Sequence, residues 1–171
     1  NKILALDRMH QATALTESTD KKTTILFIDI DNFKHINENL GQLNGDRVLA
    51  EIAARLTGCI RRNDTVARLG GDEFLIILPH MDEDILIENF CKKILDSVHQ
   101  VVVIEDQQLF LSASIGITQS PSDGLDPHVL IQNAEAAMYQ AKNDGRNTFR
   151  FFTPSMNEAS LKRITMESNL R

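Results

Sequence analysis

The sequence has no tryptophan, one tyrosine, two cysteines and four well-separated prolines in 171 residues. Two cysteines far apart in the chain cannot form the dense disulfide framework of a small secreted domain. Cys59 and Cys91 both fall in segments with helical periodicity, and we predict that both are buried, reduced thiols. This cysteine usage favours a cytoplasmic location.

Long hydrophobic runs and basic clusters are also missing. No apolar stretch approaches the roughly 18 residues that span a bilayer, and there is no signal-peptide pattern, so we expect no membrane contact. Acidic side chains outnumber basic ones by 24 to 18, which gives a net charge of −6. A nucleic-acid partner is therefore not expected, and a phosphate-bearing ligand would need local help, such as a metal ion.

The apolar residues that are present predict a single α/β (α+β) domain. The run 23–30 (TTILFIDI) is apolar on both faces, which is typical of a strand in the middle of a sheet. Helical periodicity covers 3–16, 44–60, 82–98 and 126–142, and further strand-like runs cover 65–69, 73–78, 101–104, 109–117 and 148–152. We predict a mixed central sheet of about five strands flanked by helices, with a β-hairpin through Gly70 and Gly71.

Carboxylates stand at the ends of two predicted strands. Asp29 and Asp31 close the first strand, and Asp72 and Glu73 lie in the hairpin. If these strands are neighbours, Asp29 and Asp72 approach each other, and such like charges raise each other's pKa unless a cation intervenes. Mg²⁺ prefers oxygen ligands of this kind, together with substrate phosphates. Taken singly, each residue could instead be an ordinary turn former or helix cap.

A family resemblance rests on seven segments that occur in family order and spacing: FIDIDNFK at 27–34, IN at 36–37, GD at 45–46, RLGGDEF at 68–74, SIG at 114–116, AMYQAK at 137–142 and GRN at 145–147. Over 1–152 the chain therefore resembles the GGDEF family. Members of this family resemble the catalytic domain of class III nucleotide cyclases and the palm of polymerases. A template-dependent polymerase is disfavoured here, because the chain has no basic surface signal.

The resemblance implies a diguanylate cyclase, which condenses two GTP into cyclic di-GMP and two pyrophosphates in a homodimer. It implies two Mg²⁺ or Mn²⁺ ions per active site, held by Asp29, the backbone carbonyl of Ile30, Asp72 and Glu73. Asp72 would also accept a proton, and Glu73 would support the second metal. The alternative for Glu73 is a solvated hairpin charge.

The same resemblance assigns the triphosphate to two groups of residues. Lys34 would neutralise charge on the phosphates, and the backbone of Asn32 and Phe33 would donate N–H groups to phosphate oxygens. Lys142 and Arg146 would form a second phosphate clamp. Without the family, the last two residues would be ordinary charges at a helix C-terminus.

Guanine recognition is implied for Asn37 and Asp46. An amide and a carboxylate suit guanine, whose N1–H and N2–H₂ edge donates hydrogen bonds, and they disfavour adenine. Gln42 departs from the family, which often has His at this position, and we expect altered substrate affinity from it more than lost activity.

Arg61 and Asp64 form an RxxD pattern, and five residues separate its aspartate from Gly70, the first glycine of the hairpin. This placement resembles the inhibitory product site of the family. There, the guanidinium would bind a phosphate of cyclic di-GMP and the carboxylate would bind a guanine. The alternative is an exposed turn with scattered charges.

Both ends of the chain resemble joins to other domains. We expect 1–153 to be the GGDEF domain, with its opening motif cut off upstream, and 154–171 to be a linker helix that leads towards an EAL phosphodiesterase domain. A free amphipathic tail is the alternative for 154–171. The rival function is a non-catalytic GTP-binding module that regulates an attached phosphodiesterase, with sensory parts upstream.

Overall fold

The computed structural model of the protein describes residues 2–18 and 21–157. Most of the expected linker helix, from residue 158 onward, lies outside the described residues. In chain order the elements are α1 (Lys2–Ser18), β1 (Thr23–Ile30), α2 (Phe33–Leu40), α3 (Gln42–Cys59), β2 (Thr65–Gly70), β3 (Glu73–Leu78), α4 (Asp84–His99), β4 (Val102–Ile104), β5 (Gln107–Leu109), β6 (Ala113–Ser120), α5 (Pro127–Asn143) and β7 (Thr148–Phe151).

The central sheet has five strands in the order β2-β3-β1-β6-β7. All neighbours are antiparallel except β6 and β7, which are parallel. β1 therefore lies in the middle, as its apolar sequence predicts, and nearly all of its residues are buried. The predicted mixed α/β fold is confirmed.

Helices cover both faces of the sheet, and the period of two along β1 divides its side chains between them. Leu26 and Ile28 belong to the core under α3 and α4. Ile25 and Phe27 belong to the second core, under α1 and α5. Asp29 continues the second series, so its side chain leaves the sheet on the α1 and α5 face.

The last covering helix, α5, begins and packs for identifiable reasons. Asp126 is its N-cap and accepts a hydrogen bond from the backbone N–H of His128, and Pro127 takes the first helical position, as predicted. On the facing strand a side chain at Gly116 would overlap the backbone carbonyl of Ala134. Glycine at this position lets α5 lie directly on β6.

Some predicted boundaries are wrong. The run 109–117 is not one strand: Leu109 ends β5, which pairs with β4 in a separate two-stranded sheet, and β6 starts only at Ala113. Hydrophobic patterning does not predict the bounds of α2, which ends before Gly41 (φ 85°). Both cysteines are free, but only Cys91 is buried, whereas Cys59 is half-buried. No described helix is long and apolar enough to span a membrane.

Candidate functional site

The site forms at one end of the sheet, where β1 meets the turn between β2 and β3. In the register of β1 and β3, Asp29 lies opposite Glu73, and the backbone N–H of Ile30 donates to the carbonyl of Asp72 at 3.2 Å. The expected proximity of Asp29 and Asp72 is therefore present, and it follows from the adjacency of the two strands.

Asp29 is held in a setting that disfavours its ionised form. Burial, the adjacent Asp72 carboxyl and its negative charge raise the pKa of Asp29 to about 8, against the opposing effect of Lys142. Its Oδ1 atom is buried and accepts no hydrogen bond from any described residue. A buried, unpartnered carboxylate oxygen beside a second carboxylate suits a divalent cation, which prefers such hard oxygen ligands.

Lys142 reaches this pair from the last turn of α5. Its Nζ lies 3.4 Å from Oδ2 of Asp29 and 3.8 Å from Oδ1 of Asp31. Only 19% of the lysine side chain is exposed, so the ion pair is shielded from water. The structure thus brings Lys142 to the acidic residues, whereas its helix-end position alone indicated nothing beyond an ordinary surface charge.

Glu73 lies beside Asp72 and close to a further carboxylate, that of Glu135. Burial, followed by the charges of Glu135 and Asp72, raises the pKa of Glu73, while Lys142 and Lys2 act in the opposite direction. Glu135 on α5 was not singled out from the sequence. Among the described residues, no three His, Cys, Asp or Glu side chains converge as a metal cluster. A cation here would complete its coordination with backbone, water or substrate oxygens.

Asp31 is the acidic residue whose role the sequence did not reveal. Its carboxylate accepts hydrogen bonds from the hydroxyls of Ser112 and Ser114, both at 2.6 Å, and from the backbone N–H of Asn147 at 3.1 Å. It is buried and fully partnered. Asp31 therefore ties the end of β1 to β6 and to the loop after α5, which contains Arg146.

The expected phosphate-binding residues surround this end of the sheet. Asn32 has left-handed backbone geometry (φ 58°) and precedes α2, Phe33 is buried, and Lys34 is exposed on the first turn of the helix. Arg146 is exposed in the loop between α5 and β7, also with a positive φ of 63°. A helix N-terminus beside cationic side chains is an environment that favours anions.

The expected guanine-binding residues lie at the junction of α2 and α3. Asn37 is half-buried near the end of α2, and its backbone carbonyl accepts from the N–H of Gly41. Gln42 and Asp46 are exposed on the first turns of α3. The side chain of Asn37 packs against Gly45. The two helices thus bring Asn37 and the start of α3 together.

Arg61 and Asp64 lie away from this site, because β2 separates them from the hairpin turn by six residues, or about 20 Å of strand. They bind each other: the Arg61 guanidinium donates to both carboxylate oxygens of Asp64, at 2.9 to 3.2 Å, and also to the carbonyl of Pro79. The Asp64 side chain is fully buried, whereas half of the Arg61 side chain is exposed.

The structure thus defines an α/β domain with a mixed five-stranded sheet and with paired carboxylates where its central strand meets the adjoining hairpin. Residues 1–148 match the family described as "Diguanylate cyclase, GGDEF domain". The chain belongs to this family, as the sequence motifs indicated.

Relatives and solved structures agree with this assignment. The chain is 38% identical over its whole length to the bifunctional diguanylate cyclase/cyclic di-GMP phosphodiesterase MucR of Pseudomonas aeruginosa. It is 34% identical over 92% of its length to the cyclic di-GMP phosphodiesterase PdeR of Escherichia coli. The chain spans only 25% and 24% of these two proteins.

Among solved structures, the GGDEF domain of TpbB from Pseudomonas aeruginosa superposes with a TM-score of 0.86 at 34% identity. The match covers 90% of this chain and 96% of that domain.

Proposed function

We propose that this domain is a diguanylate cyclase that condenses two GTP into cyclic di-GMP and two pyrophosphates. The observation that carries the proposal is the pair of Asp29 and Asp72 at the β1 and hairpin ends, with Lys142 as their counter-ion. Membership of the GGDEF family supports it. Because GTP is a cytosolic nucleotide, we place the domain in the cytoplasm.

We assign Asp29, Asp72, Glu73 and the carbonyl of Ile30 to the binding of two Mg²⁺ or Mn²⁺ ions. When bound, such ions would neutralise the triphosphate and lower the pKa of the attacking 3′-hydroxyl. The unpartnered Oδ1 of Asp29 supports this assignment.

The protein's own side chains position and activate the substrate. Lys34, Lys142 and Arg146 bind phosphate oxygens, the backbone of Asn32 and Phe33 donates to them, and Asp72 accepts the proton of the 3′-hydroxyl. Asn37 and Asp46 bind the guanine edge. Exposed Gln42 lies four residues before Asp46 on α3, close enough to affect substrate affinity.

The chemistry requires two copies. The 3′-oxygen of each GTP forms a bond to the α-phosphorus of the other, and that phosphorus loses pyrophosphate. Each copy binds one GTP, so one copy alone cannot close the ring. We therefore propose a catalytic homodimer.

The decisive experiment is to incubate the protein with GTP and Mg²⁺ and to measure cyclic di-GMP by chromatography. Asp72→Asn should abolish the product, because it removes both a carboxylate and the proton acceptor. Asp82→Asn replaces an exposed aspartate before α4 and is the matched control. Undiminished activity of Asp72→Asn would contradict the assigned role.

A second candidate function is a non-catalytic GTP-binding module that regulates an attached phosphodiesterase. The similarity to PdeR, a phosphodiesterase by name, favours considering it. In this case GTP would bind without turnover even after forced dimerisation. Product formation by the forced dimer would exclude it.

Product inhibition at Arg61 and Asp64 belongs to the same proposal. Because Asp64 is fully buried against Arg61, cyclic di-GMP would first meet the exposed half of the guanidinium. Both residues can hold the product only if their ion pair opens. Inhibition by added cyclic di-GMP that Arg61→Ala abolishes would support the site, and equal inhibition of both proteins would oppose it.

We also propose that 1–153 is the cyclase domain and that 154–171 leads to an EAL phosphodiesterase domain. The bifunctional name of MucR supports this arrangement. Sequencing the continuation of the gene in both directions tests it.

A further inference from the structure

Gly45 lies in an unusual place for a glycine. It is buried within α3, where glycine is less favourable than alanine. Its φ is not positive, unlike that of Gly41 just before the helix. The backbone conformation therefore does not require glycine at this position, and the reason must lie in the space around its Cα.

That space is occupied by Asn37. A Cβ on Gly45 would overlap Oδ1 of Asn37, and it would lie 3.0 Å from Cγ of Asn37 and 3.3 Å from Cζ of Phe33. Phe33 is buried, whereas the Asn37 amide is the end of a half-buried side chain, so an added methyl group would displace the amide. The missing methyl group is what allows the Asn37 amide to occupy its present position.

The atom in question is itself unpartnered. Oδ1 of Asn37 is buried, and none of the described residues donates a hydrogen bond to it. Leaving a buried acceptor unpaired is unfavourable, because the atom loses its hydrogen bonds to water and gains none in return. A ligand that supplies an N–H group would remove this penalty, and the exposed Asp46 carboxylate follows Gly45 directly in α3.

We propose that Gly45 is a specificity-determining positioning residue, which holds open the place from which Asn37 Oδ1 accepts a hydrogen bond from the 2-amino group of guanine. This inference rests on the proposed GTP-binding function. Gly45 acts through Asn37 and does not itself contact the base.

The test compares 3′-deoxy-GTP with 3′-deoxy-ITP, measured as dissociation constants by calorimetry in Mg²⁺. Both lack the attacking hydroxyl, so no turnover interferes, and inosine lacks only the 2-amino group. The wild type should prefer the guanine nucleotide by about tenfold, the value of one buried hydrogen bond. Gly45→Ala should lose about that factor for guanine alone, because it displaces Asn37.

The chain offers a matched control in Gly58, which lies in the same helix and would have no atom within 4 Å of an added Cβ. Gly58→Ala should bind both nucleotides like the wild type. A Gly45→Ala protein that keeps the guanine preference overturns the inference and leaves the proposed function standing. A wild type without guanine preference also overturns the inference, whereas the proposed function fails only if no cyclic di-GMP forms from GTP.

A double-mutant cycle separates this steric role from a general structural one. Asn37→Ala removes the atoms that a Cβ at Gly45 would meet first, so adding Gly45→Ala should cause no further loss of guanine affinity. If the double variant instead loses guanine affinity by the product of the two single-variant factors, the inference is overturned. If Gly45→Ala alone does not fold, the double variant should regain the fold of Asn37→Ala, and its failure to do so would also overturn the inference.

Discussion

Asp29 is a proposed metal ligand, but an ionised carboxylate at this position lowers the stability of the metal-free fold, because burial and Asp72 both disfavour its ionised form. We predict that Asp29→Asn raises the melting temperature of the metal-free protein by about 2 to 4 °C, the shift that about 1 kcal/mol produces in a chain of this size. The same variant should lose cyclase activity and any stabilisation by Mg²⁺. Calorimetric melts with and without Mg²⁺ measure both effects, and a lower metal-free melting temperature would contradict the prediction.

Glu135 should make stability depend on pH. Burial raises its folded-state pKa above the ordinary 4.5, so the folded protein holds its proton more strongly than the unfolded chain. Its contribution is favourable at low pH and is lost as pH rises through the raised pKa. We predict that Glu135→Gln is more stable than the wild type at about pH 8, and that the difference shrinks towards about pH 4. A difference in unfolding free energy that is constant with pH would refute this.

The proximity of Asp29 and Asp72 could be predicted from the sequence, because two strands buried together place their terminal residues side by side. The partners of Asp31 could not. Ser112 and Ser114 lie 81 and 83 residues further along the chain, and serines in a loop and a strand carry no signal of their own. Which hydroxyl donates to which carboxylate depends on the register of β1 and β6. Hydrophobic patterning specifies which face of the sheet a residue is on, but it does not specify which residues lie opposite each other.

Three elements depend on the Asp31 carboxylate: β1, β6 and the loop between α5 and β7. We predict that Asp31→Ala destabilises the protein by about 3 kcal/mol or more, since it leaves buried donors unpaired. It should also raise KM for GTP more than it lowers kcat, because Arg146 is in the loop that it anchors. Urea denaturation and steady-state kinetics measure the two effects, with Asp96→Ala on the exposed face of α4 as the control.

The contact of α5 with β6 depends on the absence of a side chain at Gly116. We predict that Gly116→Ala destabilises the protein by about 2 to 3 kcal/mol, because the methyl group would meet backbone atoms of α5 that cannot rotate away. Urea midpoints for this variant and for Gly58→Ala provide the comparison. Equal midpoints for the two would show that α5 can shift without loss.

Hydrophobic patterning predicts most of the helices and strands, but it does not predict every boundary between them. The bounds of β1 and β3 match the prediction, because continuous apolar runs end at polar residues. The prediction of one strand over 109–117 is wrong because Phe110 and Leu111 are apolar, although they lie in the connection between β5 and β6. Leu111 is buried and Phe110 is exposed, and composition alone does not distinguish such a connection from a strand.

The proposed reaction makes activity a property of two molecules. We predict that specific activity rises with protein concentration while monomers predominate, because each GTP must meet a second loaded copy. Fusion to a dimeric coiled coil should remove this dependence and raise activity in dilute solution. Initial rates across a dilution series measure it. Specific activity that does not change on dilution, in a chain shown to be monomeric, would rule out the two-copy mechanism.

Lys142 allows the domain to fold before it binds a metal ion. With an ammonium group 3.4 Å from Asp29, the carboxylates already have a counter-ion before any ligand arrives. Sites that rely on a metal to offset such repulsion tie folding to metal uptake, and their apoproteins unfold. Here the chain itself supplies one positive charge, which offsets part of the repulsion although the pKa of Asp29 stays raised. The domain can therefore complete its fold first and take up cations and nucleotide afterwards.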